Sequence, residues 1–160
     1  LVGSEMCIRD RFGVSPQGNP DNDRNEQYTD LSVWLTASGA DAVVDYLCPQ
    51  IYWGYGYTLS SGSTRFAFEN ITAEWLALPR AESTALYFGL EPSRVGVGDG
   101  GANADSVSQW CTGSALARQV TDLRSTGAGG WALYRYGSLF RSDESGLAAA
   151  ERAALTALDG

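Results

Sequence analysis

The strongest constraint on the fold is an alternation along the chain of short apolar, β-rich runs with segments of helical periodicity. The predicted strands are 12–16, 44–53, 85–92 and 129–139. The predicted helices are 31–37 and 40–44, then 65–78, 105–125 and 144–158. Because the strands are mostly apolar and each is followed by a helix, the pattern predicts a parallel sheet covered by helices.

The predicted loops are long at one end of this sheet and short at the other. Long polar or glycine-rich stretches follow the strands, whereas the returns from helix to strand, such as 79–84 and 126–128, are short. A (β/α)8 barrel builds its active site from long loops at the carboxyl ends of its strands. We therefore predict an α/β fold, a partial (β/α)8 TIM barrel. An open doubly wound sheet is the alternative architecture.

A nucleotide-binding domain is the function that a doubly wound sheet would suggest, and the glycine pattern argues against it. No GxGxxG directly follows a predicted strand. The glycine run 96–101 also lacks the lysine and the spacing of a phosphate loop. We keep the nucleotide-binding domain as a third hypothesis, after the two barrel hypotheses given below.

Charge and composition exclude several other classes of function. The 160-residue chain has a net charge of −8, and its 11 basic residues are all arginines, scattered singly, so we expect no nucleic-acid partner. No apolar run approaches the roughly 20 residues of a membrane span. Histidine is absent, so acid–base chemistry must fall on carboxylates, Tyr or Cys. We expect no cofactor and no metal.

The amino-terminal segment 1–11, LVGSEMCIRDR, has no periodicity and is similar to translated sequencing-adapter sequence. We therefore expect it to be a non-native tail and assign 12–160 to one barrel segment. Four β-α units make half a barrel and leave two unpaired sheet edges, so we expect the amino-terminal half of the barrel to be missing. Cys48 and Cys111 have no metal-site or disulfide spacing, and we expect both to be small buried residues.

Four segments carry a resemblance to a known family. They are FGVSPQGN from Phe12, VDYLCPQIYWG from Val44, ALYFGLEPSRVG from Ala85 and GGWALYRYGSLF from Gly129. In order and spacing they resemble the glycosyl-hydrolase-like 10 family, whose strands read FGISPFG, VDYLxPQIYW, LYIGLxxYRVG and GxxxFSYSSL. The resemblance covers 12–140 and implies barrel strands five to eight. It departs at two places, where Gln17 replaces Phe and Ser93 replaces Tyr.

The resemblance implies a secreted or lipid-anchored glycoside hydrolase that acts on peptidoglycan or another polysaccharide. Its location would be extracytoplasmic and its partner a carbohydrate. The family's best acidic candidates follow strand four, in a DDYFYP-like motif that this chain does not contain. We therefore expect the main catalytic acids to be encoded upstream and the fragment alone to be inactive. The alternative is a non-catalytic carbohydrate-binding barrel, which would keep the aromatic residues and lack paired acids.

Charged residues at strand ends are the first candidates for chemistry. Glycoside cleavage needs two carboxyl groups about 5 to 9.5 Å apart. Glu91 is the only carboxylate at the end of a predicted strand, and we predict it as catalytic, with a loop ion pair as the alternative. Arg135 ends the fourth predicted strand and could hold an anionic group. Asp45 begins its strand, where a structural role is expected.

Polar and aromatic residues at the same strand ends are candidates for binding substrate. Alternation puts Gln50 and Tyr52 on one face, where an amide and a phenol can hydrogen-bond sugar hydroxyls. Trp53 can stack on a sugar ring, and the alternative is that Tyr52 or Trp53 simply packs inside the barrel. Ser15 and Asn19 follow the first strand, and we predict both as further substrate contacts.

Overall fold

The chain forms a four-stranded parallel sheet in the order β1-β2-β3-β4. The computed structural model describes residues 11–21, 31–36, 44–141 and 146–159. The strands are β1 (Gly13–Val14), β2 (Tyr46–Leu47), β3 (Ala85–Leu90) and β4 (Gly130–Leu133). The predicted parallel α/β arrangement is therefore confirmed. The sheet order follows the chain order without the reversal of a doubly wound sheet, which is compatible with part of a barrel.

The first two strands are much shorter than 12–16 and 44–53, and the second is interrupted at Pro49, which has no amide to donate. The parallel pairing resumes directly after it. The amide of Gln50 donates to Pro16 O at 3.0 Å, the amide of Gly89 to Pro49 O at 2.8 Å, and the amide of Ile51 to Gly89 O at 2.8 Å. These bonds carry the sheet toward its carboxyl end, where the candidate site lies.

Five α-helices and three 3₁₀ turns accompany the strands in the part of the chain that the structure describes. The helices are α1 (Leu31–Thr36), α2 (Phe68–Ala77), α3 (Ala115–Arg124), α4 (Tyr136–Phe140) and α5 (Leu147–Thr156). The 3₁₀ turns are Pro92–Arg94, Ser108–Cys111 and Ala157–Asp159. Helix α2 ends where it was predicted to end, because Leu78 is extended before Pro79. Residues 1–10, 37–43 and 142–145 lie outside the described residues, and with them most of the amino-terminal tail and of the predicted helix 40–44.

The predicted helix 105–125 is wrong over its first half. Residues 108–111 form a 3₁₀ turn, and Gly113 has a φ of 71°, a left-handed conformation that separates this turn from α3. Ser114, not Asp105, is the N-cap residue of α3. Cys111 is exposed, which corrects the prediction that it is buried, whereas Cys48 is buried as predicted.

The predicted strand 129–139 is also too long. β4 ends at Leu133, although the amide of Tyr134 still donates to Leu90 O at 2.9 Å. The remainder of the segment turns into α4. The prediction that Arg135 ends the fourth strand is therefore wrong, because Arg135 is the N-cap of a helix.

The core lies between the sheet and the helices on one of its faces. Its strand residues are Leu47, Ile51, Leu86, Phe88 and Leu90, all buried. The helices contribute a second group, Phe68, Ile71, Trp75, Leu116, Val120 and Leu123. Trp75 also donates its indole N–H to Gly18 O at 2.7 Å, which ties α2 to the loop after β1. None of the helices in the described part of the chain is long and apolar enough to cross a membrane.

Candidate functional site

The other face of the sheet forms a concave cavity of about 580 Å³. Three of the predicted substrate contacts, Ser15, Gln50 and Tyr52, lie on its wall. The other lining residues are Gly13, Val14, Tyr46, Cys48, Gly89, Ala132, Leu133 and Tyr134. The cavity therefore draws on all four strands and includes residues at their carboxyl ends.

Strand alternation explains why these side chains meet. Leu47 and Ile51 point into the helix-covered core, so Cys48, Gln50 and Tyr52 project from the opposite face into the cavity. Gly89 lines the cavity beside them in β3, and its missing side chain leaves room at this point. A Cβ at Gly89 would lie 3.3 Å from Pro49 O, a tight contact with backbone that cannot easily move.

Ser15 and Gln50 hold the loops after β1 and β2 together. The hydroxyl of Ser15 donates to Cys48 O at 2.8 Å, and the amide nitrogen of Gln50 donates to Ser15 O at 3.1 Å. These bonds orient the Gln50 amide at the cavity wall. The amide oxygen of Gln50 has no hydrogen-bond donor among the described residues, so it is available to accept a bond from a ligand hydroxyl.

Tyr52 is a neutral hydrogen-bonding group over the usual pH range. Burial raises the pKa of its phenol, and the negative charge of Glu91 raises that pKa further, with smaller contributions from Tyr134 and Cys48. Burial also raises the pKa of the Cys48 thiol, which keeps it from acting as a thiolate nucleophile. Tyr52 can therefore donate its proton to a ligand oxygen while it remains neutral.

Glu91 directly follows β3 and is close enough to Tyr52 for its charge to raise the pKa of that phenol, but it does not line the cavity. Oε2 forms an ion pair with Nε of Arg94 at 2.8 Å, and Oε1 accepts a hydrogen bond from the hydroxyl of Ser93 at 2.6 Å. Its side chain is mostly buried, with 19% of its surface exposed. The carboxylate is thus held in place by its own 3₁₀ turn. Both readings of Glu91, as an ion-pair partner and as a reactive carboxylate, are compatible with this geometry.

Trp53, Asn19 and Arg135 do not line the cavity. Trp53 stacks on Phe66, with ring centroids 4.9 Å apart, on the helix side of the sheet. Asn19 is half-buried, and its Oδ1 accepts a bond from the amide of Asp21 at 3.2 Å. Arg135 is exposed and follows β4 at the start of α4. The structure therefore separates these three residues from Ser15, Gln50 and Tyr52.

Tyr134 is a cavity residue that the sequence did not single out. It lies one residue beyond β4 and is 62% exposed. The sequence does contain a signal for Tyr134. It lies two residues after Ala132 in GGWALYRY, so strand alternation places both residues on the face that lines the cavity. Asp45 lies at the opposite, amino end of the sheet, and its Oδ2 accepts a bond from the amide of Phe12 at 2.6 Å. That contact agrees with the structural role expected for Asp45.

Three buried or half-buried polar side chains fix the backbone after β2. Asp99 accepts a bond from the amide of Gly54 at 2.8 Å, and also bonds the indole N–H of Trp110 at 3.2 Å. Gln109 bonds both the amide and the carbonyl of Tyr55, at 2.8 and 3.1 Å. Gln119 donates to Trp53 O at 2.9 Å. These bonds fix the path of the chain just beyond Tyr52, although none of the three side chains lines the cavity.

Tyr55 anchors the same turn on the helix side. Its hydroxyl donates to Asp122, and the guanidinium of Arg118 lies 3.8 Å from the centre of its ring. Burial raises the pKa of Tyr55 strongly, and the hydrogen bond to Asp122 raises it further. Tyr55 therefore stabilises the turn by its contacts with α3, while Tyr52 faces the cavity.

The residues that the structure describes contain no group of three or more His, Cys, Asp or Glu side chains that could hold a metal ion. The site therefore offers hydrogen-bonding groups, aromatic surface and one nearby carboxylate. Comparison with known proteins identifies no relative of this chain. No family model matches the chain, and neither a curated protein nor a solved structure matches it.

Proposed function

We propose that the chain is the carbohydrate-binding half of a glycoside hydrolase-type (β/α)8 barrel, similar to the glycosyl-hydrolase-like 10 family. The observation that carries this proposal is the convergence of Ser15, Gln50 and Tyr52 on one cavity of about 580 Å³. In a closed barrel the interior is filled by side chains, so the part of this wall proposed to meet a ligand is the carboxyl end of the strands, around Ser15, Gln50 and Tyr52. The four strands in chain order and the helices on one face support the barrel reading.

In this proposal the cavity wall binds sugar hydroxyls, and Glu91, which lies near Tyr52 outside the cavity lining, supplies one carboxylate. Tyr52 donates a hydrogen bond, and Gln50 accepts one through its free amide oxygen. Arg94 and Ser93 keep the Glu91 carboxylate in a fixed orientation. Acid–base cleavage requires two carboxyl groups, and the lining of the cavity contains none, so Glu91 and a second acid would both have to reach a ligand from outside this lining. The family resemblance also carries the proposal of an extracytoplasmic location and of a polysaccharide or peptidoglycan substrate.

A non-catalytic carbohydrate-binding barrel is the second candidate, and the pairing of Glu91 with Arg94 favours it. A carboxylate held by an ion pair and a hydroxyl is a common structural arrangement. In this case the cavity would bind the same ligands and leave them intact. Both candidates predict binding at the same wall, and only the first predicts cleavage once a second carboxyl group is supplied.

Titration calorimetry of the chain against cellotetraose, chitotetraose and a peptidoglycan glycan strand tests the proposal. Binding of at least one of these should weaken several-fold in Tyr52→Phe and in Gln50→Ala. Tyr57→Phe is the matched control, because it makes the same change in the loop after β2, outside the cavity lining, where the ring contacts Trp53. Binding that is absent, or that is lost equally in the control, would contradict a carbohydrate site at this wall.

Release of new reducing ends separates the two candidates when it is assayed on a protein that joins this chain to a barrel half carrying the second carboxyl group, because the chain alone is expected to be inactive. Cleavage by that protein that disappears in Glu91→Gln supports the hydrolase, whereas binding without cleavage supports the binding barrel. Because Gln retains the size of Glu and can still accept the bond from Ser93, the variant removes the charge with little change in packing.

A further inference from the structure

The sheet has two open edges, because β1 and β4 each pair with only one neighbour in the described part of the chain. On β1, Phe12 O and Val14 O accept hydrogen bonds from amides that flank β2. The amide and carbonyl of Gly13 between them therefore point away from the sheet. Unpaired strand edges of this kind pair readily with strands of another molecule unless something covers them.

Exposed apolar side chains lie beside both edges. Phe12, which precedes β1, is 62% exposed, and Tyr134, which follows β4, is exposed to the same extent. Ala132 within β4 is exposed as well, whereas Phe88 and Leu90 of the inner strand β3 are fully buried. Apolar side chains next to unpaired strands are typical of a surface that another chain covers.

The concave face between the two edges has room for side chains from a second molecule. Small residues, Gly13, Cys48, Gly89 and Ala132, line much of the cavity of about 580 Å³. In a closed (β/α)8 barrel, such a face is filled by side chains from the strands on the opposite side. A ligand at the carboxyl end of the strands, near Tyr52, leaves the remainder of this face still to be filled.

A second copy of this chain fits this surface better than a single strand does. A single strand can pair with only one edge, and it leaves the concave face open. A second copy related by a twofold axis parallel to the strands places its β1 beside β4 and its β4 beside β1, and every strand stays parallel. This arrangement closes both edges at once, and it gives the eight strands whose side chains can fill a barrel.

The charges at the carboxyl ends of the two edges are complementary. The side chain of Asp21, in the loop after β1, is 67% exposed, although its carboxylate lies 3.6 Å from Arg65. Arg135, two residues beyond β4, is also exposed. In the twofold arrangement the end of β4 lies beside the end of the partner's β1, so arginine meets aspartate at both junctions. Opposite charges therefore favour pairing of β4 with β1 over pairing of like edges.

We propose that two copies of this chain associate through their β1 and β4 edges into a closed, eight-stranded parallel barrel. The inference rests on the barrel part of the proposed function, because the second copy occupies the place of the other barrel half. It does not depend on carbohydrate binding. In the dimer, Ser15, Gln50 and Tyr52 of both copies surround one mouth, so a cavity that is open in the single chain becomes enclosed.

Sedimentation velocity of the chain without any glycan, over a wide range of protein concentration, tests the dimer. We expect a species of twice the 17.1 kDa of one chain, and no larger species as the concentration rises, because a closed barrel leaves no free edge. Pairing that does not close would give oligomers that keep growing with concentration. A monomer throughout the range, or a growing series of oligomers, would overturn the proposal.

Ala132→Lys tests whether the concave face is the one that is covered. The lysine is solvated in a single chain, but inside a closed barrel its charge would be buried without a partner, so we expect dimerisation to weaken at least about tenfold. Val97→Lys is the matched control, since Val97 is 70% exposed in the loop after the inner strand β3. Circular dichroism should show both variants folded. A dimer that survives Ala132→Lys, or that is lost equally in the control, contradicts the proposal.

A charge exchange tests the junction between the two edges. Arg135→Glu should weaken dimerisation several-fold, because it places two acids side by side, and the double variant Asp21→Arg/Arg135→Glu should restore it. Hydrogen exchange followed by NMR provides a separate measure of edge pairing. The amide of Gly13 should exchange more slowly in the wild-type dimer than in Ala132→Lys. Equal exchange in the two proteins, or no recovery in the double variant, would show that the copies meet elsewhere.

The dimer and the carbohydrate site fail in different ways. A monomer whose glycan binding is weakened by Tyr52→Phe keeps the cavity function and overturns the dimer. A dimer of the expected mass that binds none of the glycans keeps the closed barrel and contradicts the carbohydrate site. Because mass is measured without glycan, neither result depends on the other.

Discussion

The two faces of the sheet are built from the same strands and differ in almost every physical respect. On the helix side, Leu47, Ile51 and Phe88 are fully buried among large apolar side chains. On the concave side, Gln50 and Tyr52 are partly exposed around a cavity of about 580 Å³. The difference indicates that one face carries most of the stability, while the other face keeps polar groups available for a ligand.

The polar groups also differ between the two faces. Behind the helix-side face, Asp99 and Gln109 use their oxygen and nitrogen atoms on backbone groups of the turn after β2. On the concave face, Gln50 keeps its amide oxygen unbonded to any described residue. A buried polar atom without a hydrogen-bond partner destabilises the fold. A polar atom at a cavity wall is solvated when no ligand is bound, so it can remain available to bind one. The following variants test this contrast.

The largest effect is expected from Trp75→Ala in the core. Loss of a large buried aromatic side chain should lower the free energy of unfolding by about 3 to 5 kcal/mol. Part of that loss comes from the bond to Gly18 O, so Trp75→Phe should cost less. Urea unfolding measures both changes. If Tyr134→Ala on the concave face costs as much as Trp75→Ala, the assignment of stability to the helix side is wrong.

A smaller effect is expected from Asp99→Ala. The substitution leaves the amides of Gly54 and Gly101 and the indole N–H of Trp110 without their acceptor, so we expect a loss of about 2 to 3 kcal/mol. Asp105→Ala is the matched control, because Asp105 is exposed and its side chain accepts only a long bond from Ser108 at 3.4 Å. Comparable losses in the two variants would contradict the role of Asp99 in the turn after β2.

Glu151 gives an effect that depends on pH. This buried α5 residue accepts hydrogen bonds from the amides of Ala115 and Leu116, the first residues of α3. Burial raises its pKa above the ordinary 4.5, and the amide bonds only partly oppose this. The folded state therefore holds the proton more tightly than the unfolded state. Its contribution to stability is full below pH 4.5 and is lost as the pH rises through the folded pKa.

Two substitutions of Glu151 separate its charge from its bonds. Glu151→Ala should cost about 1 to 2 kcal/mol at neutral pH, since it removes the acceptor at the start of α3. Glu151→Gln keeps an acceptor and should cost less. The stability of the Gln variant relative to the wild type should increase as the pH rises above 4.5. Unfolding curves at several pH values measure this difference, and a difference that moves the other way would contradict the raised pKa.

The smallest change in stability is expected on the concave face. Tyr52→Phe should alter the free energy of unfolding by less than about 0.5 kcal/mol. It should weaken binding of a glycan that uses the cavity by about twofold to tenfold, the size of one lost hydrogen bond. Because the pKa of Tyr52 is raised, wild-type binding should stay constant from neutral pH to about pH 9. Binding that falls over this range would show that the phenol loses its proton earlier.

Sequence reasoning was most accurate where one strong signal acts alone. β3 and α2 were predicted closely, because an apolar run ends at Leu90 and Pro79 stops the helix. The start of α3 was missed, since the residues before it resemble a helix while Gly113 takes a left-handed conformation. That conformation is decided by contacts with the rest of the molecule, which periodicity does not record.

The candidate site was predictable only where alternation could be counted. Gln50 and Tyr52 were correctly placed on one face, because they are two residues apart in one extended segment. Trp53 was not separated from them, since both faces of a parallel strand are apolar in sequence. Tyr134 was missed because the strand was extended to 139, across the start of α4. Whether these residues contact a glycan stays a prediction.

The reach of Glu151 from α5 to the first turn of α3 has a consequence for synthesis on the ribosome. The acceptor for Ala115 and Leu116 lies 36 and 35 residues further along the chain. While α3 is leaving the exit tunnel, its opening amides have no partner from Glu151 until the final helix has been translated. We therefore expect the middle of the nascent chain to stay open to proteases until its last segment emerges, and shorter versions that end before α5 to behave in the same way.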